Sequence, residues 1–156
     1  KYKLDKEITK ANVVAFVQDY KEHKLKRYYM STPTTKKAKP YLKELTGSTF
    51  WTVANQEDKN VFVMFYFPWC EWCVKLEPTW ETLAYRLRNV SNVQIARIDI
   101  SENDVDGFDF SEFPALVFFP AGREKKPEVY IHQKDMKNLK KYLFEKVPGL
   151  KDNSDL

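Results

Sequence analysis

Cys70 and Cys73 are the only two cysteines among 156 residues. Three positions apart, they are too close to close a long loop and staple a fold, so their chemistry is local. The segment Cys70-Glu71-Trp72-Cys73 follows an apolar, strand-like run, Val61 to Tyr66, and opens a stretch with helical patterning. At the first turn of a helix, unpaired backbone N–H groups and the positive end of the macrodipole favour an anion. Cys70 is therefore expected to ionise below the ordinary thiol value of about 8.5 and to act as the nucleophile. Cys73, one turn further in and less exposed, can close a small ring with the same sulfur or resolve a mixed disulfide. The chemistry is dithiol exchange. A structural zinc site needs about four ligands, and the only histidines, His23 and His132, stand far from the motif and from each other in sequence. Two cysteines buried together by accident fit the site poorly, because Pro68, Trp69 and Trp72 crowd a strand-to-helix switch.

The elements that must position this pair alternate. Thr9 to about Lys24 carries Val13, Val14, Phe16, Val17 and Tyr20 at helical spacing, with Thr9 as the N-cap. Residues 31–40 contain two prolines and no large apolar residue, the composition of a linker. The helix before it has no domain of its own, so it reads as the last helix of a preceding domain, with its apolar face a cut surface. Beyond the linker the pattern predicts a short strand near Tyr41 to Leu45, a helix opened by Ser48 or Thr49, and the strand Val61–Tyr66. A long helix interrupted by Pro78 follows, then a strand Val93–Ile98 and a short helix or turn between Glu102 and Phe110. A strand Ala115–Phe119, a strand Glu128–His132 and a terminal helix from Asp135 to Lys146 complete the chain. Such alternation argues for an α/β domain with a mixed central sheet flanked by helices. The divisions are 1–30 for the extra N-terminal helix, 31–39 for the linker, 40–147 for the domain and 148–156 for a tail. Trp51 and Trp80 read as core.

Composition narrows the partners. With 43% hydrophobic and 15% aromatic residues but only 4 Gly and 8 Pro, disordered and collagenous classes fail. The formal charge of +4 is interleaved with acidic residues, so no nucleic-acid partner is expected. Lys36, Lys37 and Lys39, and Arg123, Lys125 and Lys126, read as solvated loop charge. The longest apolar run, Val61 to Trp69, falls short of the ~20 residues that span a bilayer, so no membrane partner is expected either. Lys1 begins no signal-like segment, which is read as a removed signal peptide or a fragment of something longer. Asn153-Ser154-Asp155-Leu156 shares with K-D-E-L only an acidic residue before a terminal leucine. Asn89-Val90-Ser91 is a glycosylation sequon, meaningful in a secretory chain.

The run from Val61 through Phe67-Pro68-Trp69-Cys70-Glu71-Trp72-Cys73-Val74-Lys75-Leu76-Glu77-Pro78 resembles the active-site strand and helix of the protein disulfide isomerase family, F-Y-A-P-W-C-G-H-C-K-x-L-x-P. Arg97-Ile98-Asp99 resembles its K-V-D strand end, and Phe113-Pro114-Ala115-Leu116-Val117-Phe118-Phe119-Pro120-Ala121-Gly122 its F-P-T-L-x-F-F-P-x-G. Glu7 through Lys26 is similar to the helix before the last catalytic domain. The strings Lys24–Met30 and Phe62–Tyr66 are similar to a testis-type subgroup that leans toward chaperoning. The resemblance implies a thioredoxin-like fold in the endoplasmic reticulum lumen, with Cys70 as attacking thiol, Cys73 as resolving thiol and a cis Phe113–Pro114 bond. It implies disulfide-containing or unfolded client proteins as partners, with glutathione or an upstream thiol oxidase as redox partner. It calls for no cofactor and no metal. Trp69, Trp72, Phe113 and Pro114 are expected to form an apolar collar for clients.

Three departures from the family pattern bear on rate. Glu71 and Trp72 replace glycine and histidine, which stabilises the Cys70 thiolate less and shifts the pair toward the reducing side. The family's buried acid corresponds to Met64, and its lysine partner to Arg97. The arginine three residues before the cis-proline corresponds to Ser111. A buried thiol with neither proton acceptor nor cation is reluctant to ionise. The alternative reading is therefore a chaperone-like binding module with a slow or vestigial motif. The double substitution Glu71→Gly, Trp72→His is expected to make the disulfide more oxidising, by about tenfold in its equilibrium with glutathione, or roughly 30 mV. Equal potentials for the two proteins contradict the assignment of redox tuning to Glu71 and Trp72.

Overall fold

The computed structural model describes residues 1–33, 39–122 and 126–150. The expectations for Lys36, Lys37, Arg123, Lys125 and the terminal Asn153–Leu156 fall outside them. The chain divides into two units, Lys1–Met30 and Ser31–Leu156. In the first, helix α1 (Lys10–Lys21) is capped by Thr9, whose hydroxyl accepts from the Asn12 N–H at 3.2 Å. Val13, Val14, Val17 and Tyr20 are exposed, and no residue of α1 is buried.

The second unit is built on a five-stranded mixed sheet in the order β1-β3-β2-β4-β5. The strands are β1 (Lys43–Leu45), β2 (Asn60–Tyr66), β3 (Val93–Asp99), β4 (Ala115–Phe119) and β5 (Glu128–Val129). β1 and β2 both run parallel to β3, and β4 runs antiparallel to β2. The central strand β2 is covered on both faces, which is why it reads as a continuous apolar run without alternation. Phe62 and Met64 face one cluster, with Trp80, Leu83, Leu139 and Leu143 from helices α3 (Glu71–Arg86) and α4 (Met136–Lys146). Val61, Val63 and Phe65 face the other, with Phe50, Val53 and Ala54 of α2 (Phe50–Ala54). This is the expected thioredoxin-like arrangement.

Several local details depart from the sequence pattern. Helix α3 continues through Pro78 instead of breaking there. Proline removes one backbone N–H, but the buried stripe Cys73, Leu76, Trp80, Leu83 and Ala84 holds the helix on the sheet across the gap. Of the two forms expected between Glu102 and Phe110, helix or turn, the chain takes the turn. β5 is two residues long, and Ile131, counted in that strand from its pattern, is 84% exposed. Trp80 is core at 0% exposure, but Trp51 is 40% exposed. Phe50 takes the inward place on the five-residue α2, leaving Trp51 stacked over Phe108 at 5.9 Å. Ser31 and Thr32, expected in the linker, are tied to the domain. The Ser31 hydroxyl lies 3.2 Å from that of Ser48, and the Thr32 N–H donates to Oδ1 of buried Asn103 at 3.0 Å.

Phe62 is fully buried and meets the rings of Trp80, Phe118, Tyr130 and Tyr142 at centroid distances of 4.9 to 6.1 Å. Phe62→Ala is expected to cost about 3–5 kcal/mol in urea unfolding. A loss below about 1 kcal/mol would contradict its place at the centre of the packing.

Candidate functional site

β2 ends at Tyr66, and Phe67-Pro68-Trp69 carries the chain to Cys70, the N-cap of α3. The Cys70 sulfur accepts a hydrogen bond from the Cys73 N–H at 3.2 Å, so a first-turn donor that the helix leaves unpaired points at this sulfur. Cys70 and Cys73 form a disulfide, with Cα atoms 5.1 Å apart. Their surroundings differ: Cys70 is partly exposed and Cys73 is buried at 2%. An incoming thiolate can reach only the first of them readily. The residues between them face solvent. Glu71 is ion-paired to Lys75 at 2.6 Å, and the Lys75 ammonium stands 4.5 Å from the Trp72 ring centroid. Lys75 thus offsets part of the Glu71 charge that opposes the Cys70 thiolate, though both groups are exposed and screened. The Glu-to-Lys spacing of four was a readable signal for this pair.

Beneath the second turn of α3 lies a polar cluster. One row crosses the sheet from Glu44 of β1 through Arg97 of β3 to Met64 of β2 and Leu116 of β4. Met64 is 1% exposed and belongs to the apolar cluster. Arg97 donates from Nε to Glu44 at 2.6 Å and from Nη1 to Glu77 of α3, and the Tyr66 hydroxyl donates to Glu44 at 3.0 Å. Burial works against the Arg97 charge, but the bonds and charges of Glu44, Tyr66 and Glu77 outweigh it and hold the guanidinium more firmly protonated than usual. Burial, followed by the Glu44 charge, pushes the Tyr66 phenol up. Glu44 and Glu77 carry no motif signature; only strand register and helix reach bring them together. Ser111 is exposed.

The four residues expected to form a collar are placed as follows. The Phe113–Pro114 bond is cis, and Pro114 is buried. Trp72, Phe113 and Pro114 line one cleft of about 710 Å³, shared with Leu76, Glu112 and His132. Trp69 is 73% exposed and Trp72 68%. Trp69 joins the group through Phe67, whose ring stacks on it at 5.5 Å and meets Phe113 edge-on at 4.7 Å. Phe67 escapes the motif reading although its signal was present, a phenylalanine where the family pattern has alanine.

A strand-delivered cysteine at a helix N-terminus, paired within one turn to a buried partner on a mixed five-stranded sheet, defines a thioredoxin-fold dithiol domain. The thioredoxin family model matches residues 41–145, and the chain belongs to that family. Its relatives are protein disulfide isomerases. It is 37% identical over 138 residues to protein disulfide-isomerase A2 of Mus musculus, covering 87% of this chain and 26% of that protein. To protein disulfide-isomerase of Gallus gallus it is 36% identical over 145 residues, covering 92% and 28%. The chain thus spans about a quarter of the length of these relatives. Among solved structures it is similar to the J-Trx1 fragment of ERdj5, with a TM-score of 0.57 and 21% identity, covering 68% of this chain and 51% of that one. It is also similar to zinc-bound human ERp44, with a TM-score of 0.56 and 23% identity, covering 67% and 30%. At these identities the structures share the fold.

The buried phenols give the domain an alkaline limit. Tyr66 is shifted upward from 10.0, Tyr130 is pushed up to about 12 by burial, and Tyr142 is raised by burial and by Glu128. A raised folded-state value means that stability is full below the unfolded value near 10 and is lost as pH climbs from there toward the folded values. Tyr66→Phe is expected to cost about 1 kcal/mol at neutral pH and to shrink the loss of stability above pH 10, read from urea midpoints across the alkaline range. An unchanged alkaline slope would contradict the burial of that phenol.

Proposed function

We propose that this domain exchanges thiols and disulfides with client proteins in the lumen of the endoplasmic reticulum, through Cys70 as the attacking and Cys73 as the resolving sulfur. The observation that carries this reading is the asymmetry of the pair, a partly exposed sulfur at a helix N-cap bonded to a buried one. In the oxidising direction a client thiolate attacks the Cys70 sulfur, the Cys70–Cys73 bond breaks, and Cys73 leaves as a thiolate that takes up a proton. A second client thiolate then attacks the mixed disulfide and releases the Cys70 thiolate. The client gains a disulfide and the domain gains two electrons. Run backward, the same steps reduce a client. Oxidised glutathione or an upstream thiol oxidase takes the two electrons and re-forms the Cys70–Cys73 disulfide. The names of the relatives support isomerase-type work, and an oxidising compartment suits a persistent disulfide. We assign client contact to Trp69, Trp72, Phe113 and Pro114, and redox tuning to Glu71. Residues 1–30 fit the terminal helix of a preceding domain, since the apolar side chains of α1 are exposed.

A second reading has its own support. Trp69 and Trp72 are large, exposed and joined to Phe67 and Phe113, a surface suited to apolar segments of unfolded chains whatever the thiols do. The two separate experimentally. Exchange predicts that the protein equilibrates between dithiol and disulfide in glutathione buffers, accelerates oxidative refolding of a reduced client, and loses that acceleration in Cys70→Ser. A pair that forms no disulfide, or a thiol inert at neutral pH, overturns it. Binding predicts suppressed client aggregation that survives Cys70→Ser and falls with Trp72→Ala.

A further inference from the structure

The resolving step needs a proton to leave a thiol that is almost fully buried, since Cys73 is 2% exposed. Burial disfavours the thiolate, so a nearby acceptor has to take that proton. The inward stripe of α3 holds Cys73, Leu76, Trp80, Leu83 and Ala84 as its buried members. Glu77 flanks this stripe, half-exposed and four residues after Cys73, a spacing that brings Cβ atoms to about 5–6 Å along a helix surface. Its side chain is 44% exposed and reaches down to Arg97, the sheet row that also holds Met64.

The charges around it are arranged for such a role. Arg97 is bound by Glu44 from β1, and Glu44 in turn accepts from Tyr66 of β2. Glu44 is therefore occupied by two donors, and its negative charge already balances the guanidinium. Glu77 is the surplus carboxylate. Its Oε1 meets Arg97 Nη1, and Oε2 has no hydrogen-bond partner among the described residues. Lys39, paired to Glu81 at 2.5 Å, also feels the Arg97 charge.

We propose that Glu77 accepts the proton of the Cys73 thiol when Cys73 attacks the mixed disulfide on Cys70. This rests on the exchange reading above. The Cys73 S–H proton passes to Glu77 Oε2, and the sulfur electron pair forms the bond to the Cys70 sulfur. The bond from Cys70 to the client sulfur breaks, and the client leaves as a thiolate. Cys70 and Cys73 end as the disulfide, the client sulfur is reduced, and Glu77 returns its proton to solvent. In the reverse direction protonated Glu77 supplies the proton to Cys73 as that sulfur is displaced. Arg97 is a positioning residue, aiming the carboxylate along the helix.

Mixing the reduced chain with oxidised glutathione and following the acid-quenched species by mass gives the rate at which the glutathione adduct on Cys70 converts to the internal disulfide. Glu77→Gln is expected to slow this conversion roughly ten- to hundredfold at neutral pH, with the rate climbing toward that of the parent at alkaline pH. Removing the carboxylate and freeing Arg97 also lowers the Cys73 thiol pKa, readable from alkylation in a Cys70→Ser background. A neighbour that acts only through its charge would therefore make resolution faster. Slower conversion with an unchanged or lowered thiol pKa supports the proposal; equal or faster conversion overturns it. Glu77→Ala, a substitution well tolerated within a helix, carries the same expectation should the glutamine variant fold poorly, with thermal unfolding of the oxidised proteins as the check. If the parent itself forms no adduct or never resolves it, the exchange reading fails and takes this one with it. If the parent completes both steps and the variants match it, only Glu77 is removed.

Discussion

The seating of helix α3 on β2 and β3 is the constraint on which the site depends. Trp80, fully buried, packs on Phe62 and donates from its indole N–H to the Ala96 carbonyl at 3.0 Å, which fixes the helix both along and around its axis. With that anchor in place, Cys73 and Leu76 face the sheet, Cys70 stands at the N-terminus, and Glu71 and Trp72 point to solvent. The proline inside α3 removes a hydrogen bond without releasing the helix, because the packed stripe spans both sides of it.

The same seating decides where charge lies. A carboxylate on β2 would sit in the middle of the apolar cluster, the place Met64 fills. The polar groups are found one layer outward, where Arg97 joins Glu44 and Glu77 at the edge between sheet and helix. Breaking a partly buried pair strands the remaining charge, so the members of this cluster hold one another in place. Above it, the exposed Lys75 side chain contacts both of the motif's unusual residues, Glu71 and Trp72.

Much of this was legible in the residues. Strands β2, β3 and β4 follow from their apolar runs, α4 from the pattern between Asp135 and Lys146, and the dithiol from spacing and context. The ties that Asn103, Glu44 and Glu77 make across the fold were not legible, since those partners lie 20 to 71 positions away and depend on register. Trp51 misled because burial of a tryptophan is a good prior that a neighbouring phenylalanine can displace. β5 misled because Tyr130, buried at 3%, continues the apolar pattern while Ile131 turns to solvent.

Helix α3 is expected to make Cys70 a reactive thiolate even with Glu71 and Trp72 beside it. The pH dependence of the alkylation rate of the reduced protein measures this directly, with Cys70 identified as the modified residue by peptide mass. An apparent pKa clearly below the ordinary thiol value of about 8.5 is predicted. A value at or above it would contradict the account.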